Sequence, residues 1–426
     1  MLINDAKKYI TSGALDKKLA ELYGEDKILS ARARYLGAIG EFERLYGDDR
    51  DVKIFSVPGR SELSGNHTDH NCGRVIAASV DLDIIAVASA CAGSVVRFAS
   101  EGYPESCVDF DVYSFPSTEH HGSTTAIIAG VLSGMNAGGY RIGGFDAYST
   151  SNVLSGSGLS SSAAFENTVG TIINHLYNDG KIDGVTIAQI SQYAENEFFG
   201  KPCGLMDQIA CSVGGAVTID FADPKAPVVE KLDTDIFDGY TLCIVNTGGS
   251  HADLTDDYAA VPSEMKSVAA HFGKKNLREL TKDDVIEAIP SLRAEVGDRA
   301  IMRAIHFYNE NDRVKAQVAA IRSKDLEAFF RGVLSSGRSS FCYLQNVFTP
   351  KSPSDQGVSL ALCIAENYLK TKKAAWRVHG GGFAGTIQAF VPTHHADGFA
   401  AVMDEAFGIG ACHKLKIRNA GAERII

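Results

Sequence analysis

The stretch Leu154-Ser155-Gly156-Ser157-Gly158-Leu159-Ser160-Ser161-Ser162-Ala163-Ala164 lies between a strand-like segment and a helix-like segment. Gly156 and Gly158 lack a Cβ atom, so they permit tight turns and let an anion approach the backbone. The serines open a helix whose first N–H groups lack internal partners and whose dipole favours negative charge, which predicts a phosphate-binding loop. A simple glycine-serine turn is the alternative. The residues of this predicted phosphate-binding loop are Gly156, Ser157, Gly158, Leu159, Ser160, Ser161 and Ser162.

The segments around this loop have the patterns of regular structure. Gly144 to Val153 is predicted to be a strand leading into the loop, and Ser161 to Leu176 a helix leaving it. A second helix is predicted from Thr186 to Phe198, ending before Gly200. Residues 1–48 are predicted to be mostly helical. Strands and helices interleave in the rest of the chain, which predicts an α/β or α+β fold.

Three further parts of the chain carry predictions that the structure can test. The apolar run from Arg74 to Ala90 is long enough for a pair of strands. Two separate helices are predicted at Asp298 to Phe307 and at Asp312 to Ile321. Late strands near 376–378 and 386–391 flank three consecutive glycines.

Composition bounds the possible functions. With 426 residues the chain exceeds the size at which one core keeps growing, which predicts two domains, 1–225 and 226–426. A net charge of −11 argues against a general nucleic-acid binder. Nine cysteines without a Cys-x-x-Cys pair favour a reducing, cytoplasmic setting. No apolar run is long enough to span a membrane, so no membrane partner is expected.

A polar, turn-rich segment follows the strand predicted from residue 53. It runs Gly59-Arg60-Ser61-Glu62-Leu63-Ser64-Gly65-Asn66-His67-Thr68-Asp69-His70-Asn71. Asn66, His67 and Asp69 offer donors and acceptors suited to sugar hydroxyls. A solvated polar loop is the alternative. A metal site at the two histidines has less support, because no other ligand cluster has suitable spacing.

A second polar segment, Cys203-Gly204-Leu205-Met206-Asp207-Gln208, follows the helix that bears Glu195 and Glu197. An isolated aspartate such as Asp207 is usually a helix cap, and it gains chemical interest only if a cation lies near it. The two glutamates would normally be exposed helix charges. A carboxylate near a nucleotide would instead hold magnesium.

A glycine-rich turn, His379-Gly380-Gly381-Gly382-Phe383-Ala384-Gly385, lies between the two late strands. A His-Gly-Gly-Gly run also occurs as an oxyanion loop in lipases, but the chain has no Gly-x-Ser-x-Gly elbow, which argues against a hydrolase. The run is therefore predicted to be a backbone-lined turn that lets another segment or a ligand come close.

Four motifs occur in order: Pro58-Gly59-Arg60 through Asp69, the Gly-Ser-Gly-Leu-Ser-Ser-Ser-Ala loop, Cys203 to Gln208, and Gly380-Gly381-Gly382-Phe383. Together they resemble the signature set of the galactokinase family of GHMP small-molecule kinases, from about residue 50 onward. The resemblance implies an α+β, two-layer GHMP kinase fold: an N-terminal domain like ribosomal protein S5 domain 2, and a ferredoxin-like C-terminal domain. It further implies an ATP- and Mg²⁺-dependent kinase that converts galactose to galactose 1-phosphate, as a monomer or weak homo-oligomer.

The resemblance also implies roles for single residues. Asp207 would act as the general base on the anomeric hydroxyl. Arg60 would hold Asp207 ionised and neutralise charge on the transferred phosphoryl group. Ser161 and Glu195 would bind magnesium. The sugar-binding residues implied in this way are Asn66, His67, Asp69, Gly204 and Tyr258.

The chain departs from the family pattern at three places. The family commonly has glutamate where this chain has Asn66, facing the sugar's C6 hydroxyl, and asparagine where it has Glu62. The segment 246–251 lacks the arginine often seen before the histidine. An uncharged group at 66 could tolerate another C6 substituent, so kinases for galacturonic acid or N-acetylgalactosamine are the alternatives. A non-catalytic galactose sensor is disfavoured by the intact segment 160–164.

Overall fold

The computed structural model describes residues 1–112, 121–154, 158–249 and 254–426, in which helices and strands interleave. The helices are α1 (Ile3–Thr11), α2 (Asp16–Tyr23), α3 (Ile28–Tyr46), α4 (Thr124–Ala137), α5 (Ser161–Tyr177), α6 (Gly184–Tyr193), α7 (Met206–Val213), α8 (Thr255–His271), α9 (Lys282–Glu287), α10 (Ile289–Glu295), α11 (Asp298–Arg322), α12 (Leu326–Ser339), α13 (Gly357–Leu369) and α14 (Thr393–Phe407). The strands are β1 (Lys53–Ser64), β2 (Arg74–Ala90), β3 (Val95–Ser100), β4 (Ser106–Asp109), β5 (Phe145–Ser151), β6 (Ala216–Asp220), β7 (Val228–Leu232), β8 (Tyr240–Asn246), β9 (Ala375–Val378), β10 (Thr386–Pro392), β11 (Cys412–Leu415) and β12 (Glu423–Arg424).

The first sheet has the strand order β12-β1-β2-β5-β3-β4, and β6 and β7 extend it beside β2. Its pairings are antiparallel except that of β3 with β5. Strand β2 is its centre: β6 pairs with Arg74–Ala78 and β5 with Ile84–Ala90. One face packs on α4, α5 and α6, and the other on α1, α2 and α3. Small and β-branched residues fill β2, as a strand buried on both faces requires.

The second sheet is antiparallel, with the order β11-β8-β10-β9. Helices α13 and α14 cover one face through residues such as Phe399 and Val245. The other face joins α11, α12 and the first sheet in one shared core, which includes Phe390, Phe329 and Val57. This core brings β1, β9 and α11 close together. Strand β1 also packs against α5 and α7, and the candidate site lies where these elements meet.

Two predictions were wrong about the number of secondary-structure elements. The run from Arg74 to Ala90 forms one long strand rather than a pair, because no glycine or proline interrupts it. The two helices predicted from Asp298 are one helix, α11, which continues to Arg322. The helix predicted to reach Phe198 changes at Tyr193 to a π-helical turn, Ala194–Phe199. Such turns are frequent at functional sites.

The predicted division of the chain at residue 225 stays a prediction. Strands β7 and β12 lie beyond that residue and pair with β6 and β1 of the first sheet. In the described parts of the chain, no helix is both long and apolar enough to cross a membrane.

Candidate active site

Strand β1 carries Arg60 to the phosphate loop. Its register against β2 shifts between Pro58 and Arg60, and such irregularities re-aim side chains. The Arg60 N–H donates to the Leu159 carbonyl at 3.0 Å. A Cβ atom on Gly59 would lie 2.8 Å from that same carbonyl oxygen, so only glycine lets the strand and the loop approach this closely. The predicted loop and the predicted cation therefore meet.

Arg60 and Asp207 form a two-pronged ion pair at the start of α7. Arg60 Nε donates to Asp207 Oδ1 at 2.7 Å, and Arg60 Nη2 donates to Oδ2. Arg60 Nη1 donates to the Gly158 carbonyl, and the Ser160 hydroxyl donates to Asp207 Oδ2. The Arg60 side chain is 8% exposed and that of Asp207 is 30% exposed, so the carboxylate still reaches solvent.

The pair fixes the charge of Asp207. Burial alone would raise the pKa of this carboxyl group. The Arg60 charge and the hydrogen bonds from Arg60 and Ser160 outweigh burial and bring the pKa below its usual value. Asp207 is therefore ionised at neutral pH, as a proton acceptor must be.

Glu195 lies in the π-helical turn and faces the first turn of α5. Ser162 Oγ donates to Glu195 Oε1 at 3.4 Å, and Lys201 Nζ contacts the same oxygen at 3.1 Å. Gln208 Nε2 joins Glu195 Oε2, at 2.9 Å, to Glu166 Oε2, at 3.1 Å. Burial, and then the nearby Glu195 charge, raise the pKa of Glu166 well above its usual value.

These groups fit a magnesium ion that also binds nucleotide phosphates. The described residues contain no cluster of three or more His, Cys, Asp or Glu side chains that could hold a metal. Mg²⁺ is usually held by one or two carboxylates plus substrate phosphates, so a full protein cage is not required. The Glu195 carboxylate and the hydroxyls at the start of α5 are hard oxygen donors of this kind.

The polar loop, residues 65–71, follows β1. His67 has a positive φ of 58°, and its Nε2 lies 2.9 Å from the Gly381 carbonyl. A Cβ atom on Gly204 would lie 2.0 Å from Asp69 Oδ2, so Asp69 packs against the segment that leads to Asp207. Burial, and then the Asp207 charge, raise the pKa of Asp69 to about 6. Asp69 and Gly204, both predicted to bind sugar, thus lie near the predicted base, Asp207.

Asn66 is fully buried, and protein groups occupy its side chain. Its Nδ2 donates to Gly380 O at 2.7 Å and to Glu62 Oε1 at 3.3 Å. Its Oδ1 accepts from Asn346 Nδ2 at 2.9 Å and from Ser340 Oγ at 3.2 Å. A contact with a sugar C6 hydroxyl stays a prediction, and Asn66 would have to give up one of these bonds to make it.

The glycine turn, Gly380–Gly382, lies against both the polar loop and the phosphate loop. Its three carbonyls accept, in order, from Asn66 Nδ2, from the Asn346 amide and the His67 ring, and from the Tyr258 hydroxyl. On the phosphate-loop side, a Cβ atom on Gly158 would lie 3.0 Å from His379 Nδ1. The turn thus links the predicted sugar-binding and phosphate-binding segments.

A cavity of about 540 Å³ opens beside the start of α5. Ser161 and Ser162 line it together with further polar residues, Glu101 among them, and with aromatic and aliphatic side chains. The apolar lining includes Ile84, Phe98, Val153 and Phe165. A cleft that combines apolar side chains with polar groups beside the start of α5 suits a ring system attached to a phosphate chain.

The structure brings most of the predicted site residues together. Those from 158 to 162, with Arg60, Asp207 and Glu195, surround one region, and the predicted sugar-binding residues adjoin it through Gly204 and the glycine turn. Gly156 and Ser157 lie outside the described residues. Sequence reasoning missed Lys201 and Glu166. The position of Lys201, six residues after Glu195, was a signal that it could contact that carboxylate. The burial of Glu166 leaves no signal in the sequence.

Two protein-family models match parts of this chain. The model of the GHMP kinases N-terminal domain matches residues 126–215, and the galactokinase galactose-binding signature matches residues 40–90. A galactokinase of Streptomyces coelicolor is 30% identical over 92% of this chain and 98% of its own, and one of Clostridium tetani is 29% identical over 84% and 88%.

Solved structures show the same fold. A Lactococcus lactis galactokinase complexed with galactose superposes with a TM-score of 0.76 at 23% identity, covering 90% of this chain and 98% of its own. A Methanococcus jannaschii mevalonate kinase gives 0.61 at 13% identity, covering 87% and 99%. The predicted α+β fold is confirmed as that of the GHMP small-molecule kinases. Within that class, the chain belongs to the galactokinase family.

Proposed function

We propose that this protein transfers the γ-phosphoryl group of ATP to the anomeric hydroxyl of galactose, giving galactose 1-phosphate and ADP. Membership of the galactokinase family supports the reaction. The observation that carries the proposal is the meeting of two groups at one carboxylate: Asp207 accepts from both Arg60 and Ser160, and Arg60 also donates to the Gly158 carbonyl. A base, a cation and the phosphate loop then share one reaction centre.

In the proposed mechanism, Asp207 accepts the proton of the anomeric hydroxyl as that oxygen attacks the γ-phosphorus. The bond from phosphorus to the bridging oxygen breaks, and ADP leaves with the electron pair. Arg60 keeps Asp207 ionised before the reaction and stabilises the charge that develops on the phosphoryl oxygens. Because such transition states are loose, positioning by these two side chains carries much of the catalysis.

Ser161 and Glu195 are proposed to hold Mg²⁺, and Ser162 is placed to assist because it contacts Glu195. The bound ion would neutralise charge on the β- and γ-phosphates. Lys201 occupies one oxygen of Glu195 in this structure and would have to share that oxygen or move aside. The cavity of about 540 Å³ beside α5 is proposed to take the nucleotide base.

The sugar is proposed to lie between the polar loop, the segment at Gly204 and the glycine turn. His67 and Asp69 would accept or donate hydrogen bonds to its hydroxyls, and Gly204 leaves room beside Asp69. Tyr258 would complete the pocket from α8, where it already contacts Gly382.

The test is a set of initial rates of ADP release with galactose, galacturonic acid, N-acetylgalactosamine and glucose, each at saturating ATP and Mg²⁺. Galactose is expected to give the highest kcat/KM, and omission of Mg²⁺ is expected to abolish turnover. Turnover of another sugar without turnover of galactose would refute the substrate. Tight binding of galactose and ATP with no ADP release would instead indicate a sensor.

A further inference from the structure

The polar loop is anchored from beneath by two side chains of α11. Glu310, which is fully buried, accepts through Oε1 from the backbone N–H of Gly65 at 3.2 Å and of Asn66 at 3.4 Å. His306, one turn earlier, contacts the Asn66 carbonyl through Nε2 at 2.9 Å. Burial lowers the pKa of His306 to about 3, so the ring is neutral. Its Nε2 must carry the hydrogen, because a carbonyl only accepts.

Glu310 also belongs to a buried group of charges that joins the two sheets. Arg313 donates to its Oε2, and Arg377 of β9 lies 3.8 Å from its Oε1. Ser336 connects these groups, donating to Glu310 at 2.6 Å and accepting from Arg377 at 2.9 Å. Arg377 in turn pairs with Glu62 of β1. Two carboxylates therefore face two guanidinium groups, which makes their burial tolerable.

The position of this group matters more than its charge balance. A carboxylate that accepts from successive amides fixes the orientation of the peptide between them, and such charge-assisted bonds are about twice as strong as neutral ones. The peptide held in this way, between Gly65 and Asn66, directly precedes His67. Asp69 follows two residues later. The direction in which both side chains face depends on that peptide.

We propose that Glu310 is a positioning residue for sugar binding. Through the amides of Gly65 and Asn66 it sets the orientation of His67 and Asp69, without contacting the sugar itself. The inference rests on the proposed function, since it assigns the sugar to the polar loop. Its effect falls on sugar affinity rather than nucleotide affinity, because the bonds of Glu310 end on the polar loop and its buried partners, not on the phosphate loop.

The test compares Glu310→Gln with a matched control, Glu264→Gln. Like Glu310, Glu264 pairs with an arginine of α11: its carboxylate lies 2.9 Å from the buried Arg303. Unlike Glu310, Glu264 lies on α8, and it pairs with Arg299 as well. In Glu310→Gln the galactose Kd, measured by calorimetry without ATP, is expected to rise about tenfold, while the KM for ATP stays within about twofold. In Glu264→Gln both constants are expected to stay within about twofold.

A second readout does not depend on catalysis. Hydrogen–deuterium exchange of peptides that span residues 64–70 is expected to speed up in Glu310→Gln and to match the wild type in Glu264→Gln. An unchanged galactose Kd, or equal losses of sugar and ATP affinity, would overturn the inference. A wild type that does not phosphorylate galactose would refute the proposed function, whereas unchanged exchange at 64–70 would refute the role of Glu310.

Loss of one buried charge could prevent folding, so a milder variant covers that outcome. Ser336→Ala keeps every charge but removes the hydroxyl that connects Arg377 to Glu310. The galactose Kd is expected to rise about two- to threefold in this variant, again with little change in the KM for ATP. A folded Ser336→Ala protein with wild-type sugar affinity and wild-type exchange at 64–70 would contradict the proposal.

Discussion

Galactose binding is expected to weaken as the pH falls through about 6, because Asp69 gains a proton there. Burial, and then the Asp207 carboxylate, raise the pKa of Asp69 to about 6 from the usual 3.8. Relative to an exposed carboxyl group, this shift favours the neutral form over the ionised form by about 3 kcal/mol. An ionised carboxylate accepts hydrogen bonds through both oxygens, whereas the neutral carboxyl group uses one as a donor. Proton uptake therefore removes an acceptor that the sugar would use.

The magnitude follows from the ionised fraction. At pH 8 about 99% of Asp69 is ionised, and at pH 5 only about one molecule in eleven, so the apparent galactose Kd should rise about tenfold over that range. The effect of pH on folding stability has the opposite sign to its effect on galactose binding. The folded state binds this proton more tightly than the unfolded state, so the Asp69 contribution to stability is largest below about pH 4 and declines as the pH rises to 6.

Calorimetric titration of galactose at intervals from pH 5 to pH 8, without nucleotide, measures the effect. Asp69→Asn is the control and should bind galactose weakly but with no pH dependence between these limits. Burial lowers the pKa of His67, so its protonation falls at a lower pH than that of an ordinary histidine. A galactose Kd that does not vary with pH in the wild type would refute the reasoning. The same tenfold change in Asp69→Asn would do so as well.

Three further predictions concern single positions. Asp207→Asn should lower kcat by about 10²- to 10⁴-fold while the galactose Kd by calorimetry stays within about threefold; near-normal turnover would exclude a role as base. Gly204→Ala places a Cβ atom 2.0 Å from Asp69 Oδ2 and should raise the KM for galactose about tenfold or more, and an unchanged KM would show that Asp69 is free to move. Asn66→Glu buries a second carboxylate beside Glu62, whose Oε1 now accepts from Asn66 Nδ2 at 3.3 Å, and should lower stability by several kcal/mol. Adding Glu62→Asn should recover most of the lost melting temperature, and no recovery would argue against charge repulsion as the cause.

Part of the site could be predicted from residue types alone. Glycines and serines between a strand and a helix predict a phosphate loop, with a simple turn as the alternative. The polar segment from Arg60 to Asp69 predicted a ligand-binding loop on the same grounds. The meeting of Arg60 with Asp207 came from the family resemblance, because no pattern of spacing predicts contact across 147 positions.

The rest depends on tertiary contacts that leave no mark in a short window of sequence. Helix α11 was predicted in two pieces because the polar run Asn309-Glu310-Asn311-Asp312 looks like a break. The structure buries Glu310 and Asn311 inside the helix, where groups of the polar loop and of β2 bind them. Polar residues are usually exposed, so composition assigns such residues to the surface. The partners in the polar loop and in β2 lie more than two hundred residues away along the chain.

Helix α11 is held at a fixed position along its axis by its polar side chains. Its polar side chains meet defined partners at successive turns, from Arg303 at one end to Gln317 near the other, so the helix cannot slide by a turn of about 5.4 Å without mispairing each of them. Anyone who redesigns the chain for a different substrate therefore inherits a fixed spacing set by residues outside the binding cleft. A change of substrate preference would require substitutions along this helix as well as in the polar loop that it contacts.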